Sequence, residues 1–165
     1  MAAIKRRGNH RRDAEDAEKK ERERIESDVF SCGKGNEMED NPHAELTRAV
    51  IAAAIEVHKG LGPGLLESAY QVCLADEFER RGIGYEIEFP IPVEFKGRRL
   101  NAGYRSDFLV EESVIVELKS VERLLPIHEA LLITYLKLTG KQAALMINFN
   151  VPKLIDGIMR RVHTR

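Results

Sequence analysis

The sequence predicts an α/β domain, a central mixed sheet flanked by helices, and the pattern fits α+β equally well. Three observations carry this. Apolar residues recur at helical spacing at Leu46, Val50, Ile51, Ala54, Ile55 and His58, and again at Leu66, Tyr70, Cys73, Leu74 and Phe78. Strand formers broken by short polar turns then dominate from Tyr85 to Leu118. A third helical stretch near Ile127 to Leu138 stands between two strand-like runs, so helices have a sheet to cover.

Taken in order, residues 1–40 are charged and poor in apolar side chains. Lys5, Arg6, Arg7, Arg11, Arg12, Lys19, Lys20, Arg22 and Arg24 alternate with Asp13, Glu15, Asp16, Glu18, Glu21, Glu23 and Glu26. Such a segment cannot bury enough surface to offset the entropy of ordering it, and reads as disordered or partly helical. Its basic lead, Lys5 to Arg12, could touch phosphates. The folded domain is expected over 41–165. Asn41 would cap the first helix, with Pro42 in its first turn and Gly60 as its stop. Leu65 to Arg81 is the second helix, ended by Gly82 to Gly84. Strands follow at Tyr85 to Phe89, Val93 to Phe95 and Arg98 to Ala102, with Lys96-Gly97 as a turn. A hairpin around Glu111 to Ser113, the third helix, and a buried strand at Ala143 to Phe149 come next. A short helix from Val151 to Arg161, capped by Asn150, would close the domain and place Arg160 and Arg161 near its C-terminus, where the dipole favours cations.

The bulk properties fit one domain. The chain has 165 residues, 43% of them hydrophobic, enough for one core and not two. No apolar run is long enough to span a bilayer, and the N-terminus lacks a secretory pattern, which points to a cytoplasmic protein without membrane contact. Cys32 and Cys73 have no motif spacing and read as reduced thiols. A net charge of −1 gives no general pull toward nucleic acid, so any such contact needs local basic patches. No phosphate-binding glycine loop, zinc-ligand cluster or Ser-His-Asp pattern is present.

The chemistry concentrates in the hairpin. If Val110 lies opposite Val114, then Asp107 lies opposite Glu117, and Lys119 shares the face of Glu117. Two carboxylates and a lysine inside an apolar hairpin are costly unless they pair or bind a metal. Mg²⁺ or Mn²⁺ would take Asp107, Glu117 and the Leu118 main-chain carbonyl as ligands, leaving the rest to water and phosphate. Lys119 would orient or help deprotonate a water, with its own pKa depressed in a partly dry site. The pattern alone fits an ordinary hairpin with a cross-strand Glu-Lys pair just as well.

Upstream, Gly64-Leu-Leu-Glu67-Ser-Ala-Tyr70 reads G-x-x-E-x-x-Y. With Ala54-Ile-Glu-Val-His58, Gly62-Pro-Gly64, Tyr104-Arg105-x-Asp107, Val114 to Lys119, Leu125-Pro-Ile-His128-Glu-Ala130, Thr134 to Gly140 and Ile147 to Val151, the chain from Glu45 to Val162 resembles the GxxExxY protein family, a branch of the PD-(D/E)xK nuclease superfamily. The resemblance implies a restriction-endonuclease-like α-β-β-β-α-β core. It also implies a metal-dependent nuclease with a nucleic-acid partner, DNA ahead of RNA. Glu67 would then add a carboxylate near the metal, directly or through water. Tyr70 would hydrogen-bond Glu67 or substrate, or simply pack.

The remaining candidates are substrate contacts. Arg105 shares a strand face with Asp107 and could clamp a phosphate, or form a surface ion pair. His58 could reach metal or phosphate, or pack within its helix. In nucleases of the helicase-associated RecB type the third helix carries Q-x-x-x-Y; here Tyr135 is present, but the position four before it is Leu131, which cannot hydrogen-bond. His128 or Glu129 could substitute. A non-catalytic nucleic-acid-binding or protein-interaction module on the same fold is the alternative reading, and a homo-oligomer is compatible with either.

Overall fold

A computed structural model describes residue 20 and residues 43–100 and 104–163. The expected cap Asn41, Pro42, Cys32, the basic lead Lys5 to Arg12 and the end of the third strand at Ala102 lie outside the described residues. Helix α1 (Ala44–Leu61) buries Val50, Ile51, Ala53, Ala54 and Val57, and runs through Gly60 to stop at Gly62, whose φ of 69° the helix cannot continue. Helix α2 (Glu67–Arg81) begins two residues later than expected. Leu66 therefore precedes the helix in extended backbone, escapes its periodicity, and is 77% exposed rather than inward. Tyr70, Leu74 and Phe78 are buried as the spacing predicts.

Among the described residues seven strands follow: β1 (Tyr85–Pro90), β2 (Val93–Phe95), β3 (Arg98–Leu100), β4 (Arg105–Val110), β5 (Val114–Lys119), then after helix α3 (Pro126–Thr139) β6 (Ala143–Asn148) and β7 (Ile158–Val162). Five form one mixed sheet in the order β1-β4-β5-β6-β7, while β2 and β3 make a separate hairpin. All pairs are antiparallel except β5 and β6, which run parallel and are joined through α3. The architecture is thus α/β with helices on both faces of a mixed sheet, consistent with a restriction-endonuclease-like core.

Alternation along the strands sorts side chains into two cores. Phe108, Val110, Val114, Val116, Leu118, Leu145 and Ile147 pack under α1 and α2. Leu109, Ile115, Ala144 and Met146 face Leu132, Tyr135 and Leu136 of α3. Strand β1 changes sides midway. Tyr85 packs with the α1–α2 core and Phe89, of the same parity, with the α3 core. Between them Glu88 takes a φ of 52° and drops out of the β1–β4 ladder.

The C-terminal helix is replaced by a 3₁₀ turn (Leu154–Gly157) and strand β7. The physical reason is Gly157. A Cβ there would lie 2.2 Å from the Asn148 carbonyl oxygen, so the chain crosses the end of β6 too closely for helix side chains. Asn150 caps no helix; its N–H bonds the Asn148 side chain at 3.3 Å. Arg160 and Arg161 lie on a strand rather than at a helix terminus, and Arg161 pairs with Glu129 of α3 at 2.6 Å.

Candidate active site

Two glutamates set the hairpin that carries the carboxylates. Glu111 and Glu112 both adopt left-handed backbone, with φ of 46° and 51°. This turn ordinarily favours Asn-Gly. Here Glu111 is held by Gly84, whose N–H donates to its Oε1 at 2.6 Å and whose carbonyl accepts its N–H at 2.9 Å. The turn pairs Val110 with Val114, as the sequence predicts, and the ladder continues to Phe108 and Val116. Beyond that pair the ladder stops. The Leu118 N–H donates to Asp107 Oδ2 at 2.7 Å instead.

Asp107, Glu117 and Lys119 share the parity of Leu109 and Ile115, whose side chains pack on the α3 side of the sheet. Lys119 Nζ donates to Glu117 Oε1 at 2.8 Å. Glu117 is only 7% exposed, and its Oε2 is buried with no hydrogen-bond partner. Burial pushes the Glu117 carboxyl above the usual carboxylate range, with Asp107 and Glu67 adding to the push and Lys119 opposing it. Burial likewise raises Asp107, against the Leu118 N–H and the Lys119 charge. Lys119 departs from expectation: burial pulls its pKa down, but the hydrogen bond and charge of Glu117, with Glu67 and Asp107, outweigh it and the net direction is up. Without metal, this lysine is firmly cationic.

Glu67, the first residue of α2, reaches the end of β5. Its Oε1 accepts the Ser120 N–H at 3.1 Å, and Ser120 Oγ donates to the Leu65 carbonyl at 2.6 Å. Among the described residues no three His, Cys, Asp or Glu side chains form a set able to hold a metal ion by themselves. The donors gathered here are therefore two carboxylates, one bearing an orphaned buried oxygen. That chemistry fits a hard divalent cation completed by main chain, water or phosphate.

The sequence motif G-x-x-E-x-x-Y thus has a mechanical basis. Gly64 adopts a φ of 98°, Glu67 ties α2 to β5, and Tyr70 locks the intervening loop. The Tyr70 hydroxyl donates to the Gly62 carbonyl at 2.7 Å and accepts the Leu65 N–H at 3.1 Å. Its ring is fully buried and stacked on Phe149 at 4.2 Å. The hydroxyl's proton and one of its lone pairs are thus engaged by main-chain groups of the loop rather than by Glu67. His58 is also spoken for. Its Nε2 bonds the Val151 carbonyl at 2.8 Å, and the ring packs near Phe149 in the core on the opposite face from the carboxylates.

The other candidates divide. His128 Nδ1 accepts the Leu125 N–H at 3.0 Å and so caps α3. Arg105 is exposed and paired with Glu88 at 2.7 Å, the surface ion pair that its position also allows. Tyr135 does face the carboxylates. Burial, then the charges of Glu117 and Asp107, push its hydroxyl up to about 12, and it donates to the Arg105 carbonyl at 3.3 Å. Leu131, four residues before, packs against the α3-side core.

Two further participants escape a reading of the sequence. Gln71 Nε2 lies 3.4 Å from both the carbonyl and Oδ1 of Asp107. A signal for it exists: Gln71 is one helical turn beyond Glu67, on the same face. Buried Asn148 pins the loop after β5 through Val121, accepting its N–H at 3.0 Å and donating to its carbonyl at 2.8 Å. That partnership is long-range and leaves no local trace.

A family model described as the PD-(D/E)XK nuclease superfamily matches residues 44–162. Neither a curated protein nor a solved structure matches the chain. Among the described residues no helix is long and apolar enough to cross a membrane.

Proposed function

The chain belongs to the PD-(D/E)XK nuclease superfamily, and from that premise we propose that it is a metal-dependent nuclease of the GxxExxY branch, hydrolysing phosphodiester bonds of DNA. The observation that carries this reading is Glu117: a buried carboxylate with one oxygen on Lys119 and the other unpartnered, beside Asp107. A buried carboxylate left half-satisfied is unfavourable unless a ligand completes it.

In this reading Asp107 and Glu117 hold Mg²⁺ or Mn²⁺, with the Leu118 carbonyl as a further donor and Glu67 acting through water. When bound, the ion lowers the pKa of a water and offsets charge on the phosphate. Lys119, whose ammonium donates to Glu117 Oε1 at 2.8 Å, orients the attacking water by hydrogen bonding and stabilises the charge that develops on the phosphoryl oxygens. Gln71, 3.4 Å from Oδ1, and the Leu118 N–H, 2.7 Å from Oδ2, together orient the Asp107 carboxylate. Tyr135 ties the α3 wall to the Asp107 strand, its hydroxyl donating to the Arg105 carbonyl.

One observation favours the alternative, a binding module without catalysis: Leu131 offers no hydrogen bond where related nucleases of the RecB type carry glutamine. Cleavage of labelled single- and double-stranded DNA with Mg²⁺, Mn²⁺ or EDTA decides between them, with Lys119→Ala as control. Metal-dependent cutting that falls at least about 100-fold in the variant supports the nuclease, the size expected for losing one preorganised charge-stabilising donor. Folded protein that binds DNA and cuts under no metal supports the module.

A further inference from the structure

The β2–β3 hairpin stands apart from the sheet that carries the carboxylates. Among the described residues none in these strands belongs to either core. Val93 pairs with Leu100 and Phe95 with Arg98, so these four side chains share one face. That face is open: Phe95 is 60% exposed and Leu100 41%. Lys96 lies over the Phe95 ring, its Nζ 5.4 Å from the centroid. A three-residue, two-stranded ribbon with an uncovered aromatic face is marginal in water and gains from an occupant.

Charge and position identify the occupant. The ribbon carries Lys96, Arg98 and Arg99 against Glu94 alone, a local excess of two positive charges in a chain whose net charge is −1. It departs from the Pro90–Arg105 end of the β1–β4 pair, and Asp107 is two residues from that end. Tyr104, 53% exposed, stands at the same end, its carbonyl accepting the Ile91 N–H at 2.9 Å. Aromatic faces interleaved with cations are what a nucleic-acid strand with unpaired bases requires; a duplex keeps its base faces stacked away. A second copy of the chain is a poorer fit, because two basic ribbons repel and three-residue strands offer few edge hydrogen bonds.

We propose that the β2–β3 hairpin grips single-stranded nucleic acid, with Phe95 and Tyr104 stacking on unpaired bases and Lys96 and Arg98 contacting phosphates. The grip feeds a strand toward Asp107 and Glu117, and as a route to that site it rests on the nuclease reading above.

The test uses the full chain carrying Lys119→Ala, and fluorescence anisotropy with a fluorescein-labelled oligothymidine and a duplex of equal length. The single strand is expected to bind more tightly. Phe95→Ala should weaken it about tenfold, within the range of one lost base stack. Arg98→Gln should lower the slope of log affinity against log salt by about one contact. Both side chains are exposed, so thermal melting should not move. Unchanged affinity in both variants, or tighter duplex binding, overturns the proposal. A native dimer that Phe95→Ala dissociates in gel filtration, with oligothymidine affinity unchanged, overturns it in favour of self-association. The two readings fail separately. Wild-type cleavage whose KM ignores Phe95→Ala and Arg98→Gln sinks the grip and leaves the nuclease. Hairpin-dependent binding without cleavage under any metal sustains the grip and sinks the nuclease.

Discussion

Glu67 and Ser120 are joined across 53 residues of sequence by a 3.1 Å hydrogen bond from the Ser120 N–H to Glu67 Oε1. The bond fastens the first turn of α2 to the chain leaving β5, one residue after Lys119. It gives Glu67 a mechanical role separable from its charge.

Glu67→Gln keeps an acceptor oxygen, whereas Glu67→Ala orphans a part-buried N–H. The alanine variant should lose about 1–3 kcal/mol by urea denaturation, and the glutamine variant under about 1 kcal/mol. If the charge also serves catalysis, both lose cleavage while only one loses stability. Equal stability in the two variants would contradict the tie.

The raised carboxyls predict an unusual pH response without metal. A group whose folded pKa exceeds its unfolded one binds more protons when folded, so its contribution to stability falls as pH rises from about 4 through the folded value. Burial raises both Glu117 and Asp107. In EDTA, Glu117→Gln should therefore gain on wild type progressively with pH, read as a growing difference in urea midpoint. A difference that shrinks toward neutral pH would refute the assignment.

Divalent cation should reverse that ranking. Ligand binding to the folded state at a hundredfold excess over Kd adds about 2.7 kcal/mol. Mg²⁺ or Mn²⁺ should raise the Tm of the wild type and leave those of Asp107→Asn and Glu117→Gln nearly unmoved. Equal shifts in all three would place the ion elsewhere.

Two glycines predict opposite signs. Gly157→Ala puts a Cβ 2.2 Å from the Asn148 oxygen, and should destabilise by about 1–3 kcal/mol or more. Gly60 lies within α1, and a Cβ added there would meet nothing within 4 Å, so Gly60→Ala should stabilise by up to about 1 kcal/mol. Thermal melting of the two variants checks both.

How far the sequence reveals these features depends on the range of each interaction. The carboxylate hairpin is legible because alternation and turn length fix register locally, and Val110 does pair with Val114. Strand β7 is not, because a stretch as short as Ile158 to Val162 reads equally as one helical turn, and the deciding contact is a carbonyl of β6. His58 and Tyr70 look chemically available in the sequence because their acceptors are main-chain carbonyls. One of these, Val151, is 93 residues away. The direction of the Lys119 shift depends on how many carboxylates converge on it, which spacing along one hairpin understates.

The two proposed metal-binding carboxylates sit on consecutive strands joined by a tight turn, whereas Glu67 and Tyr135 are delivered by separate helices. Hairpins close in about 1–10 μs, well ahead of the distant pairing of β5 with β6 that carries α3 into place. On those timescales a hairpin that closes first would bring Asp107 and Glu117 side by side before the wall that dries them is in place. Repulsion between them is therefore met first in a wet environment, where it is weak, and a cation captured at that moment would hasten, rather than follow, the docking of the remaining helix.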